Sequence, residues 1–538
     1  VAKGELPLLR KPEDYQAPTF EEVNVLLEKL RKQRQPVIDR IWENKKALRG
    51  EWEDVIRHIP SAYRKNLLPP DLPQLRDMVH RISGLVRKQP PMFEVTPPSP
   101  HQVDVRKAAK EEMRLSAVRL QVTDQQTRDP HAMGIDAQIS WGESWLSIWP
   151  DPKFLYDEDY ERGEDESAEE YVERYKKTQA MSGIPICIQD HDPQTVFPFE
   201  SDRDRLAFII IETQHEMVDI EVGMGYRARK DKDGKVVEWL QRGGTLGTPY
   251  LADEARMGHS GGVTDPTHDR GLNGPGEAQV EHAVKKIIFC DPWTYCCFLD
   301  GILVEKWEHN FGMVPFFKAN GGDSSDRDPA YATHSVLDPA LTIAKNIVYF
   351  SAVLASNAMQ HGFPTPFLKN PMHGLIHPQT GEPLTRTVRL GEMNLLGPNE
   401  EIEFPFLNAE MMPDFFRYME SLTQALEQST LTNFAKAVGT EMAGYAIAQV
   451  RAMQLSILSP VYTSAAAQWR QMAYFIRHLI RTEFPEGIYL RGAIEEDDDG
   501  VQYRPILRYG KDDCTDFAIN VHIDEGIQQD EMAMNKMA

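Results

Sequence analysis

The chain has 538 residues, of which 41% are hydrophobic and 9% aromatic, enough apolar side chain for several cores and too much for a wholly disordered polymer. Acidic residues outnumber basic ones by 82 to 59, a net charge of −23. That balance argues against a protein that grips nucleic acid by neutralising phosphates, and it permits a wall along which DNA slides without sticking. Five cysteines without Cys-x-x-Cys spacing disfavour both a disulfide framework and a zinc knuckle. No apolar run reaches eighteen residues, since Leu337 to Met359 is interrupted by Asp338, Lys345 and Asn346, so no membrane span is expected. Val1 to Arg10 lacks the basic-then-apolar pattern of a signal peptide.

From Phe20 to Trp52, apolar residues recur at helical spacing (Val23, Leu26, Leu27, Leu30, then Val37, Ile38 and Ile41), predicting one or two amphipathic helices. Arg76 to Lys88 is another, halted by Pro90 and Pro91. Met92 to Thr96 has strand character. Val105 to Leu120 returns to helix, and after a proline-containing break the helical pattern continues from Ala137 to Trp149.

Between Pro150 and Glu308 the texture changes to short β-rich runs, Ile184 to Ile188, Ala207 to Thr213, Ile287 to Phe289 and Tyr295 to Leu299, separated by turns. Gly243 to Gly276 is glycine-dense and predicts a long loop. Leu337 to Met359 is a helix that stops at His361-Gly362, with Pro364 beyond. Phe363 to Asn408 carries seven prolines and reads as a compact non-helical insert with short strands. Ala409 to Thr430 is helical, with Met412, Phe415, Met419, Leu422 and Leu426 on a stripe. Leu431 to Gly444 breaks the helix, and Tyr445 to Glu483 is a very long helix interrupted only by Pro460, where a kink is expected. Gly487 to Ala493 and Val501 to Tyr509 form a hairpin around an acidic turn, and Glu525 to Ala538 begins another helix.

The fold class is therefore α+β, and the order of elements resembles the portal proteins of tailed double-stranded DNA bacteriophages, podophage-like ones in particular. Four local sequences carry the resemblance. Arg81 to Val95 (RISGLVRKQPPMFEV) looks like the helix followed by Q-x-P-x-hydrophobic-x-V near the start of such portals. Asp192 to Pro198 (DPQTVFP) is similar to their DP-x-x-V strand opening, and Phe311 to Asn320 (FGMVPFFKAN) looks like the G-x-(V/I)-P strand before the stem. Glu441 to Ala448 (EMAGYAIA) looks like the S-G-x-A start of the long helix, with Ala443 in place of the usual serine.

The resemblance implies a wing at residues 1–333, a stem helix at 334–362, a clip at 363–408, a second stem helix at 409–430 and a tunnel loop at 431–444. A long wing helix and β-hairpin would occupy 445–524, and a helical crown would start at 525–538. It also implies a ring of twelve copies at one capsid vertex of the virion, assembled in the bacterial cytoplasm, without catalytic activity, cofactor or metal. Double-stranded DNA would pass without sequence specificity. The partners implied are the terminase large subunit, major capsid and scaffolding proteins, and head-tail adaptor proteins. Asn433, Lys436, Gly439 and Gly444 are the tunnel-loop candidates for DNA contact. Phe363, Lys369, His373, Arg386 and Arg389 are the clip candidates for partner docking.

The rival readings are another ring protein of the head-tail junction and a cytosolic serine hydrolase. Gly258-His259-Ser260-Gly261-Gly262 fits G-x-S-x-G, but Leu251 to Met257 is polar and helix-like where a nucleophile elbow needs a buried strand. Glu495, Asp497 and Asp499 imitate half a calcium loop whose twelfth position, Ile506, lacks the bidentate carboxylate. His361, His373 and His377 have no matching carboxylate for a metal site. No G-x-x-x-x-G-K-[ST] occurs, so a packaging motor would have to be a separate protein.

Overall fold

A computed structural model of the chain describes residues 8–57, 73–87, 90–126, 128–150, 183–201, 205–217, 220, 226–230, 236–241, 283–322, 333–362, 367–369, 401–403, 412–429, 444–484, 487–491, 495–496, 502–503 and 506–523. These residues mix helix and sheet in an α+β arrangement of two compact units. The first comprises Val1–Trp42, Arg81–Val336 and Arg451–Ala538, and the second Glu43–His80 and Leu337–Val450.

Helix α1 (Phe20–Arg49) is one continuous helix. Thr19 and Glu22 form a capping box at its start, with the Thr19 N–H donating to the Glu22 carboxylate at 2.8 Å. Of the expected stripe, Val23, Leu27, Leu30, Val37, Ile38 and Ile41 are buried and Leu26 is half-buried. Helix α2 (Pro73–Val86) and strand β1 (Pro91–Thr96) follow, the strand alternating buried and exposed residues as a half-buried strand must. Helix α3 (Gln102–Gln125) buries Ala108, Leu115, Val118 and Val122, and α4 (Pro130–Trp141) is capped by Asp129, which accepts from the His131 N–H at 3.0 Å.

Here the sequence expectation needs correcting. The helical pattern was expected to run from Ala137 to Trp149, but α4 ends at Trp141 and Glu143–Pro150 is strand β2. Gly142 closes the helix with φ 85, a left-handed cap that glycine adopts without strain. All eight β2 residues are buried, so both faces of the strand are covered and no polar alternation marks it as a strand.

The β-rich region then supplies β3 (Ile186–His191), β4 (Val196–Ser201), β5 (Arg205–Glu216), β6 (Tyr226–Lys230), β7 (Val236–Gln241), β8 (Ala283–Cys290), β9 (Thr294–Leu299), β10 (Ile302–Glu308) and β11 (Phe316–Asn320). Two antiparallel sheets result, β11-β2-β3 and β10-β9-β8-β5-β4, with β6 and β7 paired separately. The glycine-dense segment Gly243 to Gly276 lies outside the described residues.

Residues alternate across the five-stranded sheet and so divide its two faces. Ile209, Ile211, Ile288, Cys290, Tyr295 and Cys297 join the large core that includes α3. Phe197, Ile210, Ile287, Phe289, Cys296 and Phe298 face the other way and meet Val23, Leu27, Leu30 and Ile38 of α1. Helix α1 therefore covers one face of this sheet, and the large core that also contains α3 lies against the other.

In the second unit come α5 (Asp338–Gly362), β12 (Phe367–Lys369), β13 (Glu401–Glu403) and α6 (Met412–Ser429). Helix α7 (Gly444–Thr482) then runs for 39 residues through Pro460. Its later turns place Trp469, Met472, Phe475, Ile476, Leu479 and Ile480 in the large core, where Trp469 Nε1 donates to His131 Nδ1 at 3.1 Å.

The chain continues through β14 (Ile488–Arg491), β15 (Glu495–Glu496), β16 (Gln502–Tyr503) and β17 (Ile506–Tyr509), in which β14 pairs with β17 and β15 with β16, the hairpin the sequence predicts. Strand β18 (Ala518–Ile523) was not foreseen; it pairs antiparallel with β1, Val521 opposite Phe93. The helix expected from Glu525 lies outside the described residues.

Candidate functional site

The second unit contains a helix, a strand pair and a returning helix. Helix α5 starts at Asp338, whose side chain accepts from Asn44 Nδ2 at 3.0 Å and adds negative charge where the helix dipole favours it. Lys345 reaches Glu43 at 2.7 Å, so the start of α5 is tied to the last turns of α1. Leu337, Ala340, Leu341, Ala344, Ile347, Val348 and Ala352 form a buried stripe at three- and four-residue spacing, leaving Thr342, Asn346 and Tyr349 exposed.

The chain leaves α5 through β12 and comes back through β13, Phe367 opposite Glu403 and Lys369 opposite Glu401. Helix α6 then packs on α5, where the rings of Phe350 and Tyr418 meet edge-on at 5.0 Å. Leu426 is buried, as its place on the predicted stripe requires, but Phe416 is 62% exposed and Tyr418 45%. Residues two apart on a helix point to different sides, so Tyr418 meets Phe350 of α5 while the ring of Phe416 stands in water. Sequence reasoning passed them over; the available signal was that both fall off the apolar stripe of α6.

Few of the sequence candidates can be placed. Lys369 is the last residue of β12, and Gly444 is the first of α7. Phe363, His373, Arg386 and Arg389 lie outside the described residues, as do Asn433, Lys436 and Gly439. So do Ser260, Asp497, Asp499 and His377, while His361 belongs to the last turn of α5.

Two constellations in the first unit have the composition of nucleophilic sites. The Ser147 hydroxyl lies 2.8 Å from His191 Nε2 and accepts from Trp149 Nε1 at 3.0 Å, all three side chains being buried in the sheet β11-β2-β3. Cys290 Sγ lies 4.0 Å from His309 Nε2 under a strap formed by residues 8–17. The strap is held by the Leu9 N–H on the Gly312 carbonyl (2.7 Å), by Lys11 on Glu308 (2.9 Å) and by a short hydrogen bond from the Tyr15 hydroxyl to Asp291. Burial pushes the Cys290 thiol well above its ordinary range, which disfavours the thiolate a nucleophile needs. Both clusters are core elements in this conformation. Among the described residues no group of three or more His, Cys, Asp or Glu is placed to hold a metal ion.

His309 makes the fold sensitive to acid. It is 4% exposed and stacked on Phe311, with ring centroids 4.3 Å apart, and its Nδ1 finds no hydrogen-bond partner among the described residues. Burial, helped by the Lys11 charge, pushes its pKa from 6.5 down to about 4. The unfolded chain therefore takes up a proton below about pH 6.5 that the folded chain refuses until about pH 4. Stability should fall as pH drops through that window, by roughly 3 kcal/mol in all, and level off below it. Urea midpoints between pH 7.5 and 4 measure this, and His309→Phe should flatten the His-dependent part of the slope.

No family model matches the chain, and no curated protein matches it. No helix among the described residues is long and apolar enough to cross a membrane.

Proposed function

We propose that the protein is a portal subunit: one copy of a ring that forms a DNA channel at a single vertex of a phage capsid, with no catalytic site of its own. The observation that carries this reading is the second unit, in which α5 leads into the β12–β13 pair and α6 returns along α5, with α7 following in the chain. Two opposed helices bracketing a small β projection suit a stem and clip. The exposed Phe416 suits a helix whose outer side is covered only after assembly.

The net charge of −23 supports the same reading, because a wall that repels phosphate lets the polymer pass without specific binding. In this function the clip docks the terminase large subunit during packaging and head-tail adaptors afterwards. The segment 431–444 lies at the channel constriction, and translocation energy comes from the docked motor. Capsid and scaffolding proteins meet the wing.

Multi-angle light scattering and negative-stain imaging of the purified chain test this directly. The expected result is a closed ring of about twelve copies with a central hole, built from heterologous contacts. A species that stays monomeric or dimeric at micromolar concentration would sink the proposal.

A further inference from the structure

We propose that the ring closes through a charge-matched head-to-tail contact, in which the basic outer face of α3 on one copy meets the acidic start of α1 on the next. The inference rests on the ring reading and assigns surfaces to it.

Helix α3 buries Ala108, Leu115, Val118 and Val122, which leaves Arg106, Lys107 and Lys110 exposed to solvent. Among the described residues none of these three makes a hydrogen bond or ion pair. On α3 itself Arg114 holds Asp513, and elsewhere in the same unit Lys11, Arg31 and Arg481 each hold a carboxylate. In a chain of net charge −23, an unpaired basic helix face is a local inversion of sign. Beside it runs a groove of about 440 Å³ between β1 and α3, lined by Pro90, Met92, Phe93, Met113 and Arg119 among others. Met92 and Met113 are 49% and 46% exposed. Apolar walls beside positive charge suit an acidic protein surface that carries an apolar side chain.

The chain itself presents that surface. Helix α1 buries Val23, Leu27 and Leu30 and so exposes Glu21 and Val25, and at 69% exposure Val25 is the most open large apolar residue among those described. Glu13 and Asp14 stand exposed in the strap just before the helix, and neither they nor Glu21 have an ion-pair partner among the described residues. Helices α1 and α3 belong to different cores, and among the described residues no ion pair joins the two surfaces within one copy. Two α3 faces repel each other, as do two α1 starts. Only unlike surfaces of successive copies match, which is the head-to-tail contact that repeats around a ring.

Charge reversal tests this on the full chain. Lys107→Glu with Lys110→Glu, and separately Glu13→Lys with Glu21→Lys, should each raise the concentration needed for half-assembly by about tenfold or more. Circular dichroism should show both variants folded, since all four side chains are exposed. Mixing the two variants should restore assembly, because each reversed face then meets its complement on the other chain, and raising the salt should weaken wild-type assembly. If both variants assemble like wild type, or if mixing restores nothing, this interface is wrong and the ring reading stands. If wild type itself never assembles, the ring reading fails and this inference goes with it.

Discussion

Replacing Arg477 by methionine should destabilise the first unit by about 3–5 kcal/mol, because it strands a buried charge. Glu111 is 0% exposed and Arg477 4%. Glu111 Oε1 accepts from Arg477 Nε at 2.7 Å and from the Tyr509 hydroxyl at 3.2 Å, while Oε2 accepts from the Thr515 N–H and hydroxyl. Arg477 Nη1 donates to the Phe517 carbonyl at 2.8 Å. One ion pair thus ties α3, α7, β17 and the chain entering β18 at a single dry point.

Glu111→Leu should cost as much as Arg477→Met, since it leaves the guanidinium alone in the core. The double variant should cost far less than the two singles summed, because no uncompensated charge remains. Urea unfolding of the four proteins closes the cycle. Single variants within about 1 kcal/mol of wild type would mean that water reaches this pair and that it is not the tie described.

Gly321→Ala should cost about 3 kcal/mol or more, or prevent folding of the first unit, through backbone collision rather than lost contacts. A Cβ at position 321 would lie 2.3 Å from the Gln138 carbonyl oxygen and 3.0 Å from Gly142 Cα and the His334 carbonyl oxygen. The Gly321 N–H donates to the Gly142 carbonyl at 2.7 Å and the His334 N–H to Gly322 at 3.1 Å, so three backbone segments touch with no room between them. Gly142 is doubly constrained, by its φ of 85 and by the His334–Ser335 backbone 2.9 Å from where its Cβ would stand. Gly84 is the control. It lies within α2 with nothing within 4 Å of a Cβ, so Gly84→Ala should be neutral or stabilise by up to about 1 kcal/mol. Thermal and urea midpoints compare the two; equal effects would remove the close-approach explanation.

Legibility in the sequence followed periodicity. The stripe of α1, the buried face of α5 and the β14–β17 hairpin were readable because one side of each meets water and the other does not. Strand β2 was misread as helix because all of its residues are buried. Strand β18 was missed because its partner β1 lies far away in sequence: His522 bonds Glu94 across 428 positions, and nothing local records that pairing. Within the candidate site, periodicity showed the apolar stripe of α6 but held no sign that Phe416 would stay uncovered. The unpaired state of Arg106, Lys107 and Lys110 was equally hidden, since a charge in a sequence does not say whether a carboxylate will reach it.

By itself the sequence determined the helical rods, the β-rich middle, the acidic balance and the punctuation by glycine and proline, because each follows from local conformational preference or from a sum over residues. Tertiary structure alone decided that α1 covers one face of the five-stranded sheet and the large core the other, that β18 closes on β1, and that Glu111 meets Arg477. Those outcomes depend on which distant surfaces exclude water from one another, a condition that no window of neighbouring residues contains.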